Sequence, residues 1–401
     1  MKRTFILAAA TLLCLNMAAQ ENTTEAPKQK AGFEFTTIKA LPITKIQNQN
    51  NSGTCWAFSS MAFFEAEMLR MGKPEVNLSE MYLVYKTMMD RATAAVRTHG
   101  DVSFSGGGSF YDAVYCYRNY GMMPEEAYGG IMYGDSLHNH SELSAVTEGY
   151  VTSIAKGKMS KLSPVWKQGL SSIYDAYLGK LPEKFSYKGK EYTPRSFADE
   201  VMGLNMDDYV SLTSYTHHPF YQPFILEIQD NWRWGSSYNL PLDEFMQVFD
   251  NAIDNGYPIA WGSDVSESGF SRNGVAIVPD PSQYAQERKA GSDQARWTGG
   301  VIGQRTNMYD GPGPELAITQ ELRQTGYDNW ETTDDHGMLI YGKAKDQNGK
   351  EYFMVKNSWG DAGRYHGMWY ASKAFVAYET MSILVNKKAL PKEILKKLGL
   401  K

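Results

Sequence analysis

In the stretch QNNSGTCWAFSS, Gln49 to Ser60, a cysteine stands at the head of a long apolar run, a few residues after a glutamine. Ala57, Met61, Phe64, Met68 and Met71 recur at helical spacing, and Gly72 to Pro74 close the run. Cys55 thus begins a buried helix, where unpaired backbone N–H groups and the helix dipole favour an anion. Such a place suits a thiolate, the nucleophilic form of cysteine. A cysteine nucleophile also needs a base, a group that orients the base, and donors for the oxyanion that forms on the attacked carbonyl.

Among the seven histidines, His336 opens an alternating strand pattern, HGMLIYG, and Asn357 closes the next one, EYFMVKN. A two-residue turn at Asn348-Gly349 would set His336 opposite Asp361 and leave Asn357 ~13 Å away at strand rise. A four-residue loop from Lys345 to Asn348 would instead pair Ala344 with Gly349 and set His336 directly opposite Asn357, so the longer loop is expected. Asn357 then accepts from one imidazole nitrogen while the other faces Cys55, in the manner of a triad. Trp359 would roof the pair. The Gln49 amide and the Cys55 backbone N–H would form the oxyanion hole.

These residues must be carried by a substantial fold. The chain has 401 residues, 42% apolar and 13% aromatic, with a formal charge of −5. That is enough to bury a sizeable core, and it lacks the basic excess that nucleic-acid binding relies on. The opening MKRTFILAAATLLCLNMAAQ has the order of a secretory signal peptide over residues 1–19, which implies an exported protein, periplasmic or secreted. Its apolar run is too short to span a bilayer, so no stable membrane insertion is expected. Cys116, on SFYDAVYCYRNYG, reads as a buried free thiol, with a Cys55–Cys116 disulfide as the alternative.

The first hundred residues after the leader read as helical. A second helix is expected near Asn77 in NLSEMYLVYKTMMDR, and a glycine-rich turn from Ser105 to Ser109 leads to the helix with Cys116. From Asp208 the patterns turn strand-like: YVSLTSYT, PFILEIQDNW, PIAWGSDV. No Pro/Gly/Ser linker divides the parts, which points to an α+β chain of two packed lobes. The expected organisation is an N-terminal extension over 20–40 and one domain over 41–401. Within it lie a helical lobe at about 45–130, an insertion at about 131–205, a β-rich lobe at about 206–385 and a tail at 386–401. The lysine-rich tail reads as a solvated terminal helix.

Ser52-Gly53-Thr54-Cys55-Trp56 with Gln49, His336 and Asn357 resembles the papain-like cysteine peptidases, whose signature is C-G-[SA]-C-[WY]. Ser52 stands where the first signature cysteine would be. His336 lies roughly twice the ~130–150 residues downstream of the cysteine that papain-type enzymes show, which implies a large insertion. That spacing, with LSEMYLVY, LGKLPEKFSYKGKEYTPRSF, PIAWGSDV and DHGM, resembles the bleomycin hydrolase and aminopeptidase C branch. The resemblance implies a helical left lobe and a β-barrel-like right lobe, peptide substrates, an acyl-enzyme and no cofactor. It also implies that Gly107 and Gly108 align an extended substrate, with Trp56 and Trp359 beside it, and that a hexamer forms in which the C-terminal arm anchors the substrate's free amine.

Two other readings stay open. One is an endopeptidase of the same fold. The other is a binding protein that keeps the fold without turnover and uses the aromatic WRWGSSYNL as a ligand surface. His138, His140, His217 and His218 lack a convincing ligand spacing, so no metal is assigned.

Overall fold

The computed structural model describes residues 32–280 and 311–400; the leader pattern, Cys14 and Lys401 lie outside them. The chain enters as strand β1, Phe35–Ala40, and turns through an irregular segment into helices α1, Cys55–Arg70, α2, Glu80–Arg97, and α3, Phe110–Tyr120. Helix α2 starts where Ser79 accepts from the Tyr82 N–H, and α3 starts on a reciprocal cap between Ser109 and Asp112. Such caps satisfy donors that the first helical turn leaves unpaired.

The segment expected as an insertion forms α4, Ser141–Ala155, α5, Val165–Leu178, a small hairpin of β2, Phe185–Tyr187, and β3, Lys190–Tyr192, and the short α6, Pro194–Phe197. These elements share one apolar cluster with α1 to α3, in which Phe64, Leu83, Leu170, Tyr174 and Phe197 are buried. The insertion thus extends the helical lobe.

The remainder builds one large sheet. Its strands are β4, Tyr209–Thr213, β5, Pro223–Ile225, β6, Ser236–Asn239, β7, Ile259–Ser263, β8, Phe270–Ser271, and β9, Val275–Ala276. They are completed by β10, His336–Asp346, β11, Glu351–Lys356, β12, Met368–Ser372, and β13, Thr380–Asn386. The order is β5-β6-β4-β13-β7-β10-β11-β12-β9-β8, with β1 also paired to β10. Residues 35–40, expected in an extension outside the domain, are therefore part of its sheet. Helices α7, Leu242–Asp254, α8, Gln320–Asp328, and α9, Lys373–Glu379, cover this lobe. Its core is the second cluster, around Phe245, Phe249, Trp261, Ile340 and Phe353.

The tail corrects an expectation. It forms α10, Lys392–Lys397, yet Leu390, Ile394 and Leu398 are buried in the second core and Lys397 pairs with Glu244. The lysines face outward and hide an apolar stripe that docks the helix. Among the described residues no helix is long and apolar enough to cross a membrane.

The lobes meet where α1 lies against β10. Gly337 permits the approach, since a Cβ there would overlap the Ser59 hydroxyl and press on the Trp56 backbone. This contact sets the head of α1 beside the residue that opens β10, His336.

Candidate active site

Cys55 is the first residue of α1, and Thr54, its N-cap, makes no side-chain cap hydrogen bond. The Thr54 hydroxyl is turned to Ser52 Oγ at 2.6 Å instead. The first amides of the helix are thereby left open to a negative charge at Cys55. The thiol lies against the backbone on either side of His336: Sγ is 3.9 Å from the Asp335 carbonyl oxygen, and the Gly337 amide faces the sulfur.

His336 Nε2 donates to Asn357 Oδ1 at 2.8 Å. The same oxygen accepts the Ser358 backbone N–H at 2.7 Å, and since that group only donates, the orientation of the amide is fixed. The imidazole proton therefore sits on Nε2 and leaves a lone pair on Nδ1. The ring of Trp359 covers the imidazole at 5.0 Å between centroids, tilted by 39°. Asn357 Nδ2 is buried without a partner.

The hairpin that brings His336 to Asn357 differs from the expected one. Ala344 pairs with Tyr352 where Gly349 was expected, and the register slips by one residue between Ile340 and Gly342. Three residues, Gln347 to Gly349, make the loop. The Asp346 carboxylate accepts from the Asn348 and Lys350 amides, the Gly349 amide returns to the Asp346 carbonyl, and Gly349 takes φ 84°. This is a tight turn followed by a left-handed glycine. His336 is consequently not opposite Asn357. Strand β11 ends at Lys356, and the Asn357 side chain reaches across the diverging chain ends. Behind it, buried Lys356 donates to Thr44 Oγ1 at 2.8 Å, and Thr44 bonds Glu65 on α1, which ties the two lobes.

Gln49 lies on a segment that follows the chain beyond Asn357: its N–H donates to the Ser358 carbonyl, and its Oε1 accepts from Ser358 Oγ at 2.6 Å. With the oxygen held, the Nε2 donors are free to face the cleft. Ser358 thus holds both Asn357 and Gln49, a role that the sequence pattern did not flag.

The glycine-rich segment from Ser105 to Ser109 is held from below. Trp56, expected on the substrate surface, is instead buried, only 3% exposed; its Nε1 donates to the Gly106 carbonyl at 3.0 Å and its ring lies under Gly108. A ring so placed supports the glycine segment from beneath. Fully buried Arg91 donates to the Gly107 carbonyl at 2.7 Å and pairs with Asp230 at 3.2 Å. Asp230 lies over the Gly107 α-carbon where a side chain would overlap it, and it accepts from the Gly108 amide. Arg233 anchors the Asp230 segment to the helical lobe through Asp112 at 2.6 Å and Asp90 at 2.7 Å. Arg91 and Asp230 were missed because their contacts join distant segments.

Burial dominates the electrostatics. It pushes the Cys55 thiol up to about 12, with the negative charges of Asp230 and Asp334 adding to the effect and the Gly337 and Trp56 amides opposing it. Burial likewise holds the His336 imidazole down to about 4, against the Asn357 hydrogen bond and the Asp335 charge. A standing thiolate, as the helix end alone suggests, is therefore costly by itself. Moving the proton from sulfur to imidazole creates both charges side by side, so that each offsets the other. Burial also raises the Asp334 carboxyl well above the usual range, reinforced by Asp230, Asp335 and Asp264.

The chain has measurable likenesses. The family model described as "Peptidase C1-like family" matches residues 3–288 and 319–400. Aminopeptidase G of Lactobacillus delbrueckii subsp. lactis is 22% identical over 402 residues, covering 88% of this chain and 83% of its own length. Aminopeptidase C of Streptococcus thermophilus is 24% identical over 404 residues, covering 89% and 84%. The crystal structure of PepW from Lactobacillus rhamnosis HN001 superposes with a TM-score of 0.66 at 20% identity, over 91% of this chain and 84% of that one, which shows a shared fold.

Proposed function

Because the chain belongs to the peptidase C1-like family, on the aminopeptidase C branch of the papain-like cysteine peptidases, we propose that it is an aminopeptidase acting on short peptides through Cys55, His336 and Asn357. The observation that carries this reading is the Nε2–H bond to Asn357, which leaves Nδ1 unprotonated on the residue whose two chain neighbours contact the Cys55 sulfur.

In the proposed reaction the thiol proton passes to His336 Nδ1 as sulfur attacks the substrate carbonyl carbon. The oxyanion meets the Cys55 backbone N–H and the Gln49 amide. The imidazolium then gives its proton to the leaving amine, the C–N bond breaks, and a thioester remains on Cys55. Water, deprotonated by His336, attacks that thioester, and the acid leaves as the thiol is re-formed. Asn357 keeps the ring in one tautomer throughout.

Preference for a free N-terminus needs an anion at the closed end of the cleft, and Asp230 supplies it in this reading. Its carboxylate takes the Gly108 amide and covers Gly107, so that groups which would align a longer chain are already occupied. Asp230 also raises the proton affinity of Asp334, a repulsion that a bound ammonium group would relieve. The C-terminal arm is the alternative source of that anion, and one observation favours it. Leu400 lines a cavity of about 230 Å³ together with Asn231 and Ser109, the last residue of the glycine-rich segment.

Paired reporter substrates test the assignment. A free-amine aminoacyl reporter is expected to be cleaved much faster than its N-blocked counterpart. Preference for the blocked one overturns the aminopeptidase reading in favour of an endopeptidase, and cleavage of neither favours the binding protein. Export is part of the proposal, supported by the opening MKRTFILAAATLLCLNMAAQ. N-terminal sequencing of the protein from cells is expected to begin after Ala19.

A further inference from the structure

His217 and His218 lie on the connection between β4 and β5, and Glu227 lies just beyond β5. Their side chains converge: His217 Nε2 is 3.1 Å from one oxygen of the Glu227 carboxylate and His218 Nε2 is 3.0 Å from the other. One ligand atom from each residue falls within 4.8 Å of those of the other two. Ligand atoms ~2.0 Å from a tetrahedral zinc ion stand about 3.3 Å apart, so small side-chain shifts would complete such a geometry.

The site is built to hold these groups still. Asn239, fully buried, clamps the connection: its Oδ1 accepts from the Tyr215 amide, and its Nδ2 donates to the Tyr215 and His218 carbonyls at 2.7 and 2.9 Å. The His217 ring stacks on Tyr327 at 5.4 Å, and the His218 ring stacks on Phe224 at 4.3 Å. The Tyr327 hydroxyl donates to the Glu227 carbonyl at 2.9 Å. Gln324 stands behind His217, its Nε2 3.1 Å and its Oε1 3.5 Å from Nδ1. Gln324 Oε1 accepts the Thr216 N–H at 2.6 Å and its Nε2 donates to Asp328, so as the structure stands Nδ1 accepts from Gln324 and Nε2–H donates to Glu227; an ion on Nε2 would shift the ring proton to Nδ1 and turn the Gln324 amide to accept it. No lysine or arginine pairs with Glu227 among the described residues. His138 and His140 take no part, being buried at the nucleophile loop in the other lobe.

We propose that His217, His218 and Glu227 bind one divalent transition ion, Zn²⁺ by the chemistry of its donors, with water completing the coordination. Two imidazoles and a carboxylate suit zinc, whereas calcium and magnesium prefer all-oxygen cages. The ion would staple the β4–β5 connection to the segment after β5, which continues within three residues to Asp230. It therefore stiffens the segment that overlies Gly107 and has no part in the bond-breaking step.

The test is a calorimetric titration of the untagged full chain with Zn²⁺ alone near neutral pH, after alkylation of Cys55 so that its thiol does not compete. One ion per chain is expected. Glu227→Gln, which keeps the side-chain shape but removes the charge, and His218→Ala should each weaken binding roughly tenfold or more, while His366→Ala, at an exposed histidine elsewhere, leaves it unchanged. The melting temperature of the parent should rise with added Zn²⁺ and that of Glu227→Gln should not. Absence of saturable binding, or equal affinity in the parent and Glu227→Gln, overturns the proposal and leaves a hydrogen-bonded cluster only.

Discussion

The two sides of the cleft hold their reactive groups by different means. Cys55 takes its place from a single continuous helix whose other residues are almost all buried, so its position follows from local pattern plus one close contact at Gly337. His336 and Asn357 meet at diverging strand ends, and their contact depends on a loop stapled by Asp346, a register slip near Tyr341 and the Ser358 amide. The helical side is set by packing, and the sheet side by a few directed hydrogen bonds. Single substitutions on the sheet side should therefore disturb chemistry with little loss of fold.

The largest expected effect is at His336. In His336→Ala nothing accepts the thiol proton, and burial keeps the sulfur protonated well above neutral pH. Peptidase activity should fall on the order of ten-thousand-fold or more. Iodoacetamide labelling of Cys55 near neutral pH should slow on the order of a hundredfold, read by mass spectrometry. Labelling at the parent rate would separate the cysteine's reactivity from this imidazole and break the comparison at its centre.

What the sequence revealed follows the same division. Helix α1 starts at Cys55, where the apolar periodicity begins, because a buried helix writes its pattern in consecutive residues. The strands of the β-rich part were legible as elements, but their register was not. The loop is fixed by the Asp346 carboxylate and a left-handed Gly349, and the bulge near Tyr341 falls where β10 changes its second partner from β7 to β1. The expected meeting of His336 and Asn357 came from a register that does not occur; their side chains meet at the strand ends. Arg91, Asp230 and Ser358 left no signal, since each acts through partners far away in the chain. The tail was misread because its lysines mask Leu390, Ile394 and Leu398.

A smaller effect sharpens the comparison within the sheet side. Gln49→Ala removes the proposed oxyanion donor and should lower kcat about 10²-fold to 10³-fold with KM little changed. Ser358→Ala keeps that donor but frees its carbonyl oxygen, and should cost about tenfold in kcat. Equal, small losses in both would place oxyanion stabilisation elsewhere.

Asp230 bridges the two sides, and Asp230→Asn has two expected readouts of opposite sign. Preference for the free-amine reporter over the N-blocked one should fall by at least about tenfold, the loss of one charged contact. Labelling of Cys55 should quicken, because a negative charge that raises the thiol has been removed. Deleting the residues after Gly399 should leave the preference intact. The opposite pattern, with preference lost on deletion and kept in Asp230→Asn, would assign the amine to the C-terminal arm.

The smallest effect tests whether packing really governs the helical side. His138 and His140 sit under the nucleophile loop, where the Asn51 amide donates to the His138 carbonyl and the His140 amide donates to the Asn51 carbonyl. Burial holds both imidazoles down to about 4. A folded-state value below the ordinary ~6.5 means that the unfolded chain takes up the proton first. The stability from these groups is therefore present above about pH 6.5 and is lost as pH falls toward 4. Asp264, raised to about 7, runs the other way and loses its contribution as pH rises, so the histidines must be isolated by difference. Between about pH 6.5 and 5.5, His138→Gln should lose about 1 kcal/mol less stability than the parent in denaturant titrations. An unchanged pH slope would mean that the loop is held by α1 alone, and packing would then govern the helical side without help from the buried imidazoles.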